Sequence, residues 1–247
     1  MKIIGIIPAR YASTRFPGKP LVDIGGKTMI RRVYEQAKKT LLLNDVYVAT
    51  DDQRIAAEAA SFGGNCMITL ESHKSGTDRC HEVVEKLKAR GLSFDLAINI
   101  QGDEPFIDPS QIDSLAKLFL NDAVKIATLI KKINDLNELF NHNVVKAVTG
   151  KGGQALYFSR QTLPFYRNLK TEEWLEKGDF YKHIGIYGYR TDVLGELVKL
   201  PLGTLEIAES LEQLRWLENG YSIHTQITDK ESVAIDTPED LLKISAT

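Results

Sequence analysis

Short apolar runs alternate with helical periodicities along the first half of this chain. Ile3-Ile4-Gly5-Ile6-Ile7 is continuous and β-branched, as expected of a strand buried on both faces, and Pro8 ends it because proline cannot donate to a central ladder. Met29, Ile30, Val33 and Ala37 recur at helical spacing within 28–40, and Val46 to Ala49 reads as a second strand. A helix over Ile55 to Phe62 is stopped by Gly63-Gly64, and Cys66-Met67-Ile68 is a third strand. The segment His73 to Arg79 leads into a helix running to about Arg90, Leu96 to Ile100 is a wholly apolar fourth strand, and Asp108-Pro109 starts the next helix. Strand and helix alternating at this spacing predict a parallel sheet flanked by helices.

Beyond residue 120 the order loosens. Val124 to Ile130, Val144 to Val148, Leu156 to Arg160, Ile184 to Tyr189, Ser222 to Ile227 and Ser232 to Ile235 read as strands. Helical patterns cover 191–199 and 206–219, while 161–181 is aromatic and proline-punctuated with no clean period. Thr237-Pro238-Glu239-Asp240 predicts a capped final helix, with Thr237 as N-cap and Pro238 at the first helical position. The expectation is one mixed α/β domain over 1–247, with 150–190 as a subdomain or interface.

Composition changes this picture little. The chain has 247 residues, 43% hydrophobic and 26% charged, enough for one sizeable globular core. No apolar run approaches a bilayer span, and Met1-Lys2 leads straight into a strand without signal-peptide architecture. Cys66 and Cys80 stand singly with no metal-ligand spacing, so reduced thiols and a cytoplasmic setting are expected.

Charge is more telling. Residues 1–40 hold nine Lys/Arg against two Asp/Glu, whereas the rest carries 22 bases and 31 acids. An acidic protein with a basic amino-terminal lobe suits a small anion there better than a coating of nucleic acid. The loop after the first strand carries Arg10, Arg15 and Lys19 among small and turn-forming residues, at the sheet edge where open α/β folds bind ligands. Guanidinium groups grip phosphate bidentately, and a lysine supplies a compact charge. Gly25-Gly26-Lys27-Thr28 imitates the end of a phosphate-binding P-loop but lacks a glycine at position 21, so it is read as a turn and a helix start. Asp103, directly after the fourth strand, suits either a turn or a divalent-metal ligand. Asp236 repeats the arrangement, and with Thr237 already the better N-cap it has no capping task.

Together, Pro8-Ala9-Arg10 through Lys19, Ser75 to Arg79, Asn99 to Pro105, Ala155 to Arg160, His183 to Tyr189, Glu209 to Arg215 and Val233 to Asp240 resemble the 3-deoxy-manno-octulosonate (Kdo) cytidylyltransferases, end to end. The resemblance implies a Rossmann-like nucleotidyltransferase fold with a small β-rich dimerisation subdomain and a homodimer. It implies transfer of CMP from CTP to the anomeric hydroxyl of Kdo, with Mg²⁺ as cofactor, in lipopolysaccharide precursor synthesis. Arg10, Arg15 and Lys19 would hold the triphosphate and, with Asp103, carry catalysis. Pro8, Ala9, Ser75, Gly76 and Gln101 would surround the nucleotide. Asp103 and Asp236 would bind the metal. Arg79, Arg160, His183, Tyr187, Glu212 and Gln213 would hold the acidic sugar, with the arginines on its carboxylate. A cytidylyltransferase for 8-amino-Kdo or a sialic acid, and a nucleotide sensor without turnover, are the competing readings. Thr28 replaces the proline usual in relatives, and 168–180 matches the common pattern poorly.

Overall fold

The computed structural model describes residues 1–12, 16–231, 234, 235 and 237–245, with side chains as far as Leu241. Its first half follows the predicted alternation: β1 (Ile3–Pro8), α1 (Met29–Ala37), β2 (Asp45–Thr50), α2 (Gln53–Ser61), β3 (Asn65–Ile68), α3 (Gly76–Ala89), β4 (Leu96–Asn99) and α4 (Pro109–Leu118). The second half adds β5 (Ile126–Lys132), α5 (Leu136–Phe140), β6 (Lys146–Thr149), β7 (Ala155–Ser159), α6 (Trp174–Lys177), β8 (Tyr181–Arg190), α7 (Thr191–Leu197), α8 (Thr204–Glu209), α9 (Glu212–Glu218), β9 (Ile223–Ile227) and α10 (Pro238–Ser245).

The strands order as β3-β2-β1-β4-β8-β5-β9, with β6 pairing to the start of β8 and β7 to β6. β1 to β4 are mutually parallel, and β8 runs antiparallel between β4 and β5. Because β1 is central, both its faces are covered: Ile3 and Ile7 join one core, Ile4 and Ile6 the other. A smaller core of Ile133, Leu139, Trp174 and Phe180 lies under the irregular stretch before β8, with the Trp174 and Phe180 rings stacked 6.0 Å apart.

Local chemistry explains the boundaries. Gly63, at φ 72°, ends α2 in a paired-bond cap in which its N–H reaches Ala60 O and that of Gly64 reaches Ala59 O. Gly25 and Gly26 take the positive φ of a tight turn, and the Thr28 side chain accepts from Arg31 N to cap α1. At the far end, Thr237 and Asp240 exchange the expected capping bonds.

Two expectations need correction. The helical pattern over 206–219 is two helices, broken where Ser210 adopts φ 54° and Leu211 is extended. The expected strand over Ser232 to Ile235 does not form at Ala234 or Ile235, and Ser232 and Val233 fall outside the described residues. Ile235 is instead buried against Ile24 and Met29, and its N–H bonds Asp103 O at 2.9 Å. Ile235 is thereby fastened to the loop after β4.

Candidate active site

Two cavities meet at the carboxyl ends of β1 and β4. The first, about 260 Å³, is bordered by Pro8, Ala9 and Arg10 from the end of β1, Lys19, the start of α3, and Gln101 to Asp103. Beside it, Gly18 N–H bonds Tyr11 O at 2.9 Å, and the Arg54 guanidinium covers the Tyr11 ring at 3.3 Å. Lys19 Nζ lies 2.8 Å from Asp103 Oδ2, so cation and carboxylate form a direct ion pair on the cavity wall. The N-terminus of the 14-residue α3 opens here, with Ser75 and Asp78 closing a capping box. Free N–H groups and the helix dipole make such an end favourable for phosphate.

The backbone approach is close. A Cβ on Gly76 would come within 3.2 Å of the Pro8 ring, and one on Gly102 within 2.6 Å of the Pro8 carbonyl oxygen. Only glycine lets these three segments meet.

The second cavity, about 290 Å³, shares Pro8, Gly76 and Gln101 with the first and continues between α3, β8 and α9. His183, Gly185, Tyr187 and Tyr189 alternate along one face of β8 and line it together with Glu212 and Gln213. A bulge opposite the Thr128–Leu129 step inserts Gly185 and Ile186, and Gly185 O accepts from Gln101 Nε2 at 2.6 Å. Glu212 is held by the Thr77 hydroxyl, which donates to it at 2.9 Å; burial nonetheless raises its carboxyl above the usual range. Burial likewise pushes the Tyr187 and Tyr189 phenols well up, which keeps them protonated donors.

The α8–α9 break positions this wall. Arg215 grips Glu206 with both its Nε and Nη2, 2.6 and 2.5 Å. The Glu209 carboxylate accepts from Ser159 Oγ at 2.6 Å and from Arg160 N–H at 2.9 Å. Glu212 and Gln213, the first two residues of α9, are thereby fixed at the cavity.

Of the sequence-derived candidates, Pro8, Ala9, Arg10, Lys19, Ser75, Gly76, Gln101 and Asp103 come together in the first cavity, and His183, Tyr187, Glu212 and Gln213 in the second. Arg15 and Asp236 lie outside the described residues. The two arginines expected on the sugar carboxylate sit differently. Arg79 borders the first cavity, but its buried guanidinium is engaged by Asp51 at 2.6 Å, Thr69 at 2.7 Å and Leu70 O at 3.1 Å. Arg160 borders neither cavity; its Nε donates to Glu209 O at 2.8 Å and its Nη1 to His142 O at 3.3 Å. Much of the basic lobe is also structural: Lys27 and Arg31 pair with Glu35, and Arg32 binds Ile24 O and Gly25 O. Sequence reading missed His73 and Lys74 in the first cavity and Thr77, Asn99 and Tyr189 in the second. The two-residue alternation from His183 would have found Tyr189.

His183 carries a pH prediction. Burial pushes its imidazole down to about 4, while the unfolded chain binds that proton near 6.5. Between those values the unfolded state holds more protons, so stability falls as pH drops through the window. The loss should be about 1–2 kcal/mol at pH 5. Denaturant titrations at pH 7 and pH 5 should show wild type losing that much more than His183→Gln; equal losses would remove His183 from the acid limb.

A strand-edge cavity holding cations and a helix N-terminus, joined to a polar buried chamber, defines a nucleotidyltransferase-like α/β protein. The sequence profile of the cytidylyltransferase family matches residues 4–227. The chain is 55% identical to a 3-deoxy-manno-octulosonate cytidylyltransferase of Cytophaga hutchinsonii, across all of this chain and 98% of the relative. It is 53% identical to the protein of that name from Parabacteroides distasonis, again over all of this chain and 98% of the relative. A solved CMP:2-keto-3-deoxy-manno-octonic acid synthetase complexed with CTP superimposes with a TM-score of 0.91 at 42% identity, covering 100% of this chain and 98% of that one. The chain belongs to the 3-deoxy-manno-octulosonate cytidylyltransferase family.

Proposed function

We infer that this chain transfers CMP from CTP to 3-deoxy-D-manno-octulosonate. The anomeric hydroxyl attacks the α-phosphorus, the α–β phosphoanhydride bond breaks, pyrophosphate leaves and the hydroxyl proton is released. One observation carries this reading: a cationic cavity at a helix N-terminus opens, through Pro8, Gly76 and Gln101, into a second chamber lined by buried hydrogen-bonding groups. A nucleoside triphosphate suits the first and a polyhydroxylated acceptor the second.

Arg10, Arg15 and Lys19 are the triphosphate ligands in this reading, with Ser75, Gly76, Gln101, Pro8 and Ala9 around the nucleoside. His183, Tyr187, Glu212 and Gln213 take the acceptor. Arg79 is better read as a brace, because its guanidinium is occupied by Asp51, Thr69 and Leu70. Arg160 ties β7 to the α8–α9 break through its N–H and Nε, and its Nη1 donates to His142 O. Orientation and preorganised charge supply most of the catalysis, as phosphoryl transfer asks for little covalent help.

The donor set fits Mg²⁺. Asp103 is a partly exposed carboxylate on the first cavity, and Asp236 directly follows Ile235, whose N–H bonds the Asp103 carbonyl. Mg²⁺ needs only one or two carboxylates when phosphate oxygens complete its shell. When bound it would neutralise phosphate charge, leaving Lys19 to face the leaving pyrophosphate.

We further propose a homodimer formed through 150–190, a cytoplasmic location and a role in lipopolysaccharide precursor synthesis. The exposed Leu156 and Phe165 support the first, and the free Cys66 and Cys80 agree with the second. No helix among the described residues is long and apolar enough to cross a membrane.

The deciding experiment is pyrophosphate release from CTP and Mg²⁺ with Kdo, 8-amino-Kdo or a sialic acid. Release with Kdo, abolished by EDTA, is expected. Release with only another sugar would change the acceptor, and no release from any of them while CTP binds would leave a nucleotide sensor.

A further inference from the structure

We infer that two further residues of the acceptor chamber hydrogen-bond the sugar's hydroxyls: Tyr189 at its deep end, remote from the reacting anomeric centre, and Asn99 nearer the nucleotide cavity. The inference rests on the function proposed above and names two residues that function did not use.

Four side-chain atoms on this one chamber are buried with no partner at full hydrogen-bonding geometry: Asn99 Oδ1, Tyr187 OH, Tyr189 OH and Gln213 Nε2, the two phenols having only the Thr128 and Thr77 hydroxyls near them. Their residues are 5%, 6%, 0% and 5% exposed, in the order Asn99, Tyr187, Tyr189, Gln213. Buried polar groups are nearly always satisfied, so four orphans around a single cavity call for a ligand that supplies both donors and acceptors. A hydroxylated chain does so, since each hydroxyl gives one proton and accepts others.

Tyr189 is the clearest case. Its ring has sufficient packing as a hydrocarbon, stacked on Tyr187 at 5.9 Å and set edge-on to Trp216 at 5.5 Å. Phenylalanine would fill that space equally well, so packing does not account for the hydroxyl. Register then gives direction. β8 pairs Tyr187 with Asn99 at the end of β4, and Tyr189 with Ala97, two residues further from the edge that carries Gln101 and Asp103. An acceptor with its anomeric hydroxyl toward the nucleotide cavity therefore points its far end at Tyr189. Asn99 ends β4 beside the start of α3, with Nδ2 3.3 Å from where a Gly76 Cβ would lie, and its orphaned Oδ1 is the acceptor that complements the Tyr189 donor.

The test is steady-state kinetics of Tyr189→Phe on Kdo and on its analogue lacking the terminal carbon. The expected result is a KM for Kdo raised about tenfold or more, an unchanged KM for CTP, and little change for the shortened analogue. A site built to bond a hydroxyl discriminates by at least that factor. Asn99→Ala should likewise raise KM for Kdo above that for CTP. Unchanged kinetics of Tyr189→Phe on Kdo, or an equal rise for both sugars, overturns the inference while leaving the proposed function standing. Wild-type protein without turnover on Kdo overturns both.

Discussion

Asp103→Asn should lower turnover by about 10²–10³-fold, the usual consequence of removing one preorganised charge from a phosphoryl-transfer site. The substitution keeps the shape of a side chain in a loop after a buried strand, so the fold should survive. What changes is charge in two relationships. The carboxylate faces Lys19 Nζ at 2.8 Å, and in the proposed function it is also a Mg²⁺ ligand. These roles separate experimentally. A metal role raises the Mg²⁺ concentration needed for half-maximal turnover. A pure anchoring role loosens Lys19 and raises KM for CTP at every Mg²⁺ concentration. Near-normal kcat at saturating CTP and Mg²⁺ would exclude both. The partner substitution, Lys19→Ala, leaves Asp103 beside the incoming triphosphate without its counter-charge, so its effect should fall on CTP affinity as well as turnover.

The chain's first half was legible because its signals are local. β1 and β4 are short continuous apolar runs, α2 ends in a glycine pair, and Asp108 stands where a cap belongs. The failures share a different cause. The α8–α9 break turns on Ser210 at positive φ, a conformation for which only glycine would have been a clear advertisement. Residues 161–180 have no period because what orders them is an aromatic cluster around Trp174 rather than an amphipathic face. For the site, residue types and strand ends pointed to the loop after β1 and to Asp103, whereas the residues gathered in the second cavity came from the family resemblance. The partners of the arginines did not show, since Arg79 reaches Asp51 across 28 residues and Arg160 reaches Glu209 across 49. No spacing rule connects residues that distant. A buried arginine must nevertheless be paired, and Asp51, Thr69 and Leu70 O supply the partners of Arg79.

Gly102→Ala tests whether the frame itself is part of catalysis. The added Cβ would sit 2.6 Å from the Pro8 carbonyl oxygen, and because that atom is backbone, no rotamer change relieves the clash. Either the end of β1 or the loop carrying Asp103 must move. The thermodynamic cost should be about 1–3 kcal/mol, the range for forcing a methyl into a packed site. The loss of activity should be larger than that figure suggests. Asp103 is the next residue, its carbonyl is bonded by Ile235 N–H, and a displacement of about 1 Å at a reacting site can cost about 10²-fold in rate. Melting temperature and kcat should therefore fall together, with kcat the more affected at temperatures where the variant remains folded. Gly152→Ala is the control, because nothing lies within 4 Å of its Cβ position, and it should change stability by no more than about 0.5 kcal/mol. If Gly102→Ala behaves like Gly152→Ala, the close approach of β1 to the Asp103 loop is not needed for either fold or turnover. If it folds yet fails to release pyrophosphate, the glycine serves to hold the cation-bearing strand end and the carboxylate-bearing loop at one fixed distance.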